Sequence, residues 1–165
     1  MSEALVGLLG IILGFLFGLI GTEFKAWRDR GRRKADVAGL LRGEISSNKS
    51  RVERTIDIGR MAKDKGKVAR YLISPFMRDG YSSCVGDLVL LPRDTWEAVQ
   101  LFYARLVAIE FIVSEGYLRQ ALIVPSEKKS LDEVWKRLQD EIDETANRAL
   151  EAADEALAGL EKLAD

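Results

Sequence analysis

The hydrophobicity pattern begins with an uninterrupted apolar run near the N-terminal end of the sequence. Residues 4–22 contain no charged side chain. As an α-helix this run would be about 28 Å long, close to the hydrocarbon core of a membrane at roughly 30 Å. It lacks the basic start and small-residue cleavage site of a signal peptide, and the polar face of a helix in a globular domain. The pattern therefore favours an uncleaved transmembrane anchor over residues 1–23, and disfavours both a signal peptide and a buried helix of a globular domain.

Five glycines fall on one side of this predicted helix. At 100° per residue they lie within an arc of about 80°. A stripe of small residues lets another helix approach closely in a membrane. Glycine is common in membrane helices in any case, so the prediction of a helix-packing surface depends on the whole stripe. Its members are Gly7, Gly10, Gly14, Gly18 and Gly21. Whether the partner is a second copy or another membrane protein stays open.

The residues after the apolar run are basic and aromatic, and we assign residues 24–36 to a basic juxtamembrane segment. By the positive-inside rule, this predicts a single-pass protein of the cell (inner) membrane whose C-terminal domain is cytoplasmic. The aromatic pair suits the membrane–water interface, and anionic headgroups would attract the basic side chains. Topology alone accounts for the basic cluster, so lipid binding is an expected side effect. The predicted interface residues are Phe24, Lys25, Trp27, Arg28, Arg30, Arg32, Arg33 and Lys34.

Residues 37–165 are expected to form a cytoplasmic helical domain, and their first apolar stripe has helical spacing. It consists of Val37, Leu41, Ile45, Val52 and Ile56. Asn48 interrupts the stripe and leaves two alternatives open: a buried residue that fixes helix register, or an edge position half in water. No proline precedes Pro75, so a helix can continue from the anchor into this domain.

A second helix is predicted over residues 94–113, with Asp94 as N-cap and Glu97 completing a capping box. A second membrane span is the alternative, but Arg105 within it is disfavoured by about 2.5 kcal/mol or more. We therefore expect the central helix of a bundle. Its apolar face comprises Trp96, Val99, Phe102, Tyr103, Leu106, Ile109 and Val113, widened by Leu101, Ala108 and Ile112. Before it, residues 79–91 predict an irregular connection with short helical turns.

The last helix is predicted to begin at a capping box over residues 130–133 and to keep a seven-residue repeat to the end. The repeat is bulky in its first half and small in its second half, which favours close packing. The columns are Trp135, Ile142, Ala149, Ala156 and Leu163, and Leu131, Leu138, Thr145, Ala152 and Gly159. A helix packed in the bundle is favoured over a free coiled coil. Residues 127–165 carry 6 basic and 12 acidic residues, against 15 and 7 in residues 23–72. This asymmetry predicts that the acidic last helix lies against the basic first helix or a basic partner.

Composition excludes several classes of catalytic site. Among its 165 residues the chain has no His and one Cys, so a Ser-His-Asp triad, a Cys-His dyad and a Cys-rich zinc site cannot form. Cys84 is expected to be a small buried residue. The carboxylates of the last helix indicate a solvated face more than a metal site. The net charge of −1 argues against a general nucleic-acid binder. We therefore expect no cofactor, metal, nucleic acid or small-molecule substrate, and no enzyme activity.

Three segments resemble small prokaryotic proteins of unassigned function, in which an N-terminal membrane helix carries a cytoplasmic helical domain. They are Leu41 to Asn48, Leu91-Pro92 and Trp96 to Leu106, within a resemblance that covers about a third of the chain. The resemblance implies an architecture and no activity, so it carries over no functional residue.

Together these patterns predict an all-α protein, with a transmembrane helix followed by a three- to four-helix cytoplasmic bundle that ends in a long heptad-patterned helix. The expected function is a membrane-anchored helical interaction module, a scaffold or accessory subunit that assembles through the glycine stripe. A homo-oligomeric, membrane-active or pore-forming assembly is the alternative. An enzyme without a recognisable motif is the third.

Overall fold

The structure is a computed structural model that describes residues 3–65, 75–122 and 128–163, and within these the side chains of all but residues 3–17, 19–20, 119–122 and 128–131. The described part is all-helical and contains no strand, which confirms the all-α prediction. Its elements are α1 (Glu3–Asp64), α2 (Asp79–Cys84), a 3₁₀ segment (Val85–Leu90), α3 (Arg93–Leu122) and α4 (Lys128–Glu161).

The predicted anchor forms the N-terminal part of α1, which continues without a break to Asp64. Most side chains of the apolar run lie outside the described ones. Within the part of the chain that the structure describes, no helix was found to be long and apolar enough to cross a membrane. The division into anchor, juxtamembrane segment and domain stays a prediction.

The three long helices form the bundle, with α4 antiparallel to both α1 and α3. Arg42 of α1 pairs with Glu161 near the end of α4 (3.1 Å), and Lys49 pairs with Asp154 (2.6 Å). The predicted contact between the acidic last helix and the basic first helix is thereby confirmed. Farther along, the amide of Gln139 donates to a backbone carbonyl of α1 over 3.0 Å.

Glycines of α3 and α4 allow these two helices to approach closely. A Cβ atom on Gly159 would lie 2.3 Å from Oγ1 of Thr95, and one on Gly116 would lie 2.6 Å from the ring of Trp135. These contacts pair the start of α3 with the end of α4, and the last part of α3 with the first part of α4. Helix α3 therefore runs in the same direction as α1. Helix α4 is thus packed in the bundle as predicted.

The predicted apolar faces form most of the core. In α1 the stripe is buried from residue 37 to residue 52 and half-buried at residue 56. In α4 both heptad columns point inward over the described side chains, with Thr145, Gly159 and Leu163 half-buried. The fully buried α4 members are Trp135, Ile142, Ala149 and Ala156.

Three details of the predicted helices are wrong. Helix α3 begins at Arg93, so Asp94 lies in the first turn instead of capping it, and Glu97 accepts from Arg93 Nε (2.7 Å). Helix α4 begins at Lys128, ahead of the predicted cap. On α3, Leu101 is exposed instead of widening the core face. Caps are local signals, and a competing ion pair or one further residue of helix shifts them at little cost.

Candidate functional site

The segment from Pro75 to Leu91 carries the chain back along α1 towards the basic residues 24–36. Its residues 79–91 form an irregular connection with short helical turns, which confirms the prediction. Its backbone is held by side chains of the long helices, because it has no regular partner of its own. The guanidinium of Arg51 donates to the Pro75 carbonyl (2.8 Å), and Glu110 of α3 accepts from the Phe76 amide (2.9 Å) while pairing with Arg78.

Asn48 is fully buried and holds this segment from α1. Its Nδ2 donates to the Met77 carbonyl (2.7 Å), and its Oδ1 accepts from the Met77 amide (2.9 Å). Of the two alternatives, the buried one is therefore confirmed. Its partner is the backbone of an irregular segment, so the register it fixes is that of the segment on α1.

One turn earlier in α1, Glu44 receives the start of α2. The Gly80 amide donates to Oε2 (2.7 Å) and the Tyr81 amide to Oε1 (3.2 Å). The hydroxyl of Tyr103, from α3, also donates to Oε1. A Cβ on Gly80 would lie 2.9 Å from Oε2, so only glycine lets the backbone approach this carboxylate so closely. Glu44, buried in the domain, thus joins α1, α2 and α3.

The aromatic rings beside Glu44 complete a closed polar cluster. Tyr81 stacks on Tyr103 with ring centroids 4.1 Å apart. Burial, and then the hydrogen bond to Glu44, raise the pKa of Tyr103 well above its usual value. The phenol therefore stays a neutral donor, and both carboxylate oxygens are occupied by internal donors. The cluster is built to hold the segment in place.

Cys84 lies at the end of α2 and is buried, as expected. Its Sγ is 3.6 Å from the Tyr81 carbonyl. Burial and the negative charge of Glu44 raise the pKa of this thiol. A protonated, enclosed thiol is a poor nucleophile.

The predicted interface residues lie on the exposed surface of α1, with Lys34 half-buried. Phe24 and Trp27 are 59% and 65% exposed, and their ring centroids are 5.8 Å apart. Arg33 reaches the connecting segment and pairs with Asp87 of the 3₁₀ segment (2.8 Å). The structure thus brings the basic residues 24–36 of α1 together with the 3₁₀ segment.

A groove separates these two elements. It is lined on the α1 side by Trp27, Arg28, Arg30, Gly31, Arg32 and Lys34, and on the other side by Leu90. The walls are therefore aromatic, basic and aliphatic. Such a combination suits amphiphilic groups with negative charge.

Of the glycine stripe, Gly18 and Gly21 belong to the described residues. A Cβ on either would meet no atom within 4 Å, so this side of α1 is open in the single chain. The other three positions, Gly7, Gly10 and Gly14, lie outside the described side chains. The stripe as a packing surface stays a prediction.

Among the described residues, no group of three or more acidic or cysteine side chains is arranged to hold a metal ion. Asp143 of α4 is half-buried, and burial raises its pKa, although Lys63 opposes the shift. Its neighbours Glu144 and Glu151 are exposed. These carboxylates mostly form a solvated face.

Sequence reasoning missed two features of this region. Glu44 follows Leu41 by three residues, so a charged residue on the inner face of a helix was a usable signal of a buried acceptor. An apolar exposed face on α3 was not separated from the buried one, because the apolar pattern runs almost all round that helix. Its members are Leu101, Ala104, Val107, Phe111 and Leu118.

Comparison with known proteins adds no relative. The chain matches no protein-family model, no curated protein and no solved structure.

Proposed function

We propose that this protein is a membrane-anchored helical interaction module, a scaffold or accessory subunit of a complex in the cell membrane. In this proposal the N-terminal run of α1 is the anchor, and the bundle extends into the cytoplasm. The glycine stripe receives a second membrane helix.

The observation that carries the proposal is the continuity of α1. A single helix connects the apolar run to the core of the bundle, from Glu3 to Asp64. A rigid helix transmits the orientation of an anchor to the domain above it, so helix pairing in the membrane would set the spacing of attached bundles. The open side at Gly18 and Gly21 leaves room for such a pairing.

The outer face of α3 supports an interaction role for the bundle itself. Phe111 is 69% exposed, Leu118 67% and Val107 48%, and their spacings of four and seven residues place all three on one side of the helix. Scattered apolar residues on a surface need no explanation, whereas an aligned stripe is typical of a surface that meets a partner.

The experiment that tests the proposal is native mass spectrometry of the full-length protein, extracted gently from its own membrane. The variant Gly14→Leu with Gly18→Leu fills the stripe, and Leu16→Phe adds volume to the opposite side as the matched control. We expect the double variant to lose its partner while circular dichroism shows an intact bundle, and the control to keep the partner. Assembly that survives both glycine substitutions would refute the stripe as the contact.

The composition of the complex then separates the function classes. A second protein in the complex identifies an accessory subunit. A defined homo-oligomer that releases dye from liposomes favours the pore-forming alternative instead.

A further inference from the structure

We propose that the 3₁₀ segment Val85–Leu90 is a second membrane contact, which rests on an anionic lipid surface beside the basic residues 24–36 of α1. The inference depends on the proposed anchoring of α1. It adds to the membrane-binding surface a part of the bundle that lies far from the anchor in sequence.

The path of the connecting segment brings it to this position. Contacts with α1 move steadily towards the N-terminal end: Arg51 meets Pro75, Glu44 meets Gly80 and Arg33 meets Asp87. Leu90 follows in the wall of the groove next to Trp27. The 3₁₀ segment is therefore the part of the connecting segment 75–91 that reaches the juxtamembrane residues 24–36 of α1.

The height of the segment brings it to the outer edge of the headgroup layer. Trp27 is five residues beyond the end of the apolar run and Gly31 nine, which corresponds to about 7.5 and 13.5 Å along a helix. The polar layer on each side of the hydrocarbon core is roughly 5–8 Å thick. Leu90, which shares a groove with these residues, thus lies at the outer edge of the headgroup layer or a few ångströms beyond it.

The surface of the segment is apolar where it faces outward. Val89 is 80% exposed and Val85 53%. Both line a second groove, together with Trp96 and Arg93 of α3. Exposing these valine side chains to water is unfavourable, and contact with the lipid interface would remove their apolar surface from water.

The charge around the segment favours anionic lipid. Residues 24–36 contain six basic and two acidic side chains. The carboxylate of the segment itself, Asp87, is paired with Arg33 (2.8 Å), which offsets its repulsion of a negative surface. Each basic residue near the surface adds attraction to acidic headgroups.

The test uses the full-length protein with a bimane label on Val89→Cys in a Cys84→Ala background. The same label on Phe111→Cys is the matched control, because Phe111 is also exposed but lies far up α3. If Cys84→Ala fails to fold, the labels go on the native background, where the buried thiol stays unlabelled. The labelled proteins are reconstituted into vesicles of phosphatidylcholine with phosphatidylglycerol, which carry nitroxides at the headgroup.

We expect quenching at position 89 to be several-fold greater than at position 111, and to decrease in phosphatidylcholine alone or at high salt. Equal quenching at both positions, in protein that floats with the vesicles, would overturn the membrane contact and leave the anchor intact. Quenching that is independent of phosphatidylglycerol would overturn the anionic partner. Protein that does not float with the vesicles would refute the proposed anchoring itself.

Discussion

The buried carboxylate of Glu44 allows a quantitative test of what holds the connecting segment to α1. Glu44→Gln keeps the shape of the side chain but replaces one oxygen by an NH₂ group. In the better orientation the NH₂ replaces Oε2, so the Gly80 amide, 2.7 Å from that position, faces a second donor and loses its acceptor. The Tyr81 amide and the Tyr103 hydroxyl still have an acceptor, although it is no longer charged.

The magnitude follows from these three bonds. A buried amide left without an acceptor costs about 1–3 kcal/mol, and the other two bonds each weaken because charged acceptors bind more strongly than neutral ones. Removing a buried charge recovers part of this loss. We expect a net loss of about 2 kcal/mol in the free energy of unfolding, or roughly 4–8 °C in Tm for a protein of this size.

Tyr103→Phe is the matched comparison. It removes the hydroxyl but keeps the ring on Tyr81, and Glu44 retains both backbone donors. Its expected cost is smaller, about 1 kcal/mol. The assay is thermal unfolding of the full-length protein in detergent, followed by near-ultraviolet circular dichroism. Hydrogen exchange of the amides of residues 79–84 reports the local effect.

The ordering of the two variants decides the matter. We expect faster amide exchange in α2 for Glu44→Gln than for Tyr103→Phe. A Glu44→Gln protein as stable as the wild type, or more stable, would refute the reasoning. It would mean that the cost of burying the carboxylate exceeds the value of its hydrogen bonds.

Two further predictions concern packing and thiol chemistry. Gly159→Ala should lower the free energy of unfolding by about 1–3 kcal/mol, because the new methyl group meets Thr95. Gly43→Ala, whose methyl group meets no atom within 4 Å, should instead stabilise α1 by up to about 1 kcal/mol. Chemical denaturation compares the two variants, and a Gly159→Ala protein as stable as the wild type would contradict the close approach of α3 and α4. Cys84 should react with iodoacetamide far more slowly in the native protein than in urea, and faster as pH rises, because burial raises the thiol pKa and less thiolate is present at neutral pH. Equal rates in the two states, measured by mass spectrometry, would show an open thiol.

Local patterns predicted the helices and their inner faces well. The stripe from Val37 to Val52 and the column from Trp135 to Ala156 repeat with the period of a helix, so burial on one side follows from the order of residues alone. Exposed Leu101 shows the limit of this reasoning. Where apolar residues surround a helix, periodicity does not say which side is covered.

The sequence by itself determined that this protein is helical, which stretches form its long helices, and that the acidic last helix would lie against a basic surface, of this chain or of a partner. Charge, apolar period and glycine spacing are properties of neighbouring residues, so they can be read without knowing the fold. Tertiary structure alone decided that Asn48 and Glu44 hold a returning segment, and that Leu90 shares a groove with Trp27. These partners are separated by tens of residues, and only the packing of α1, α3 and α4 fixes which of many possible pairs meet.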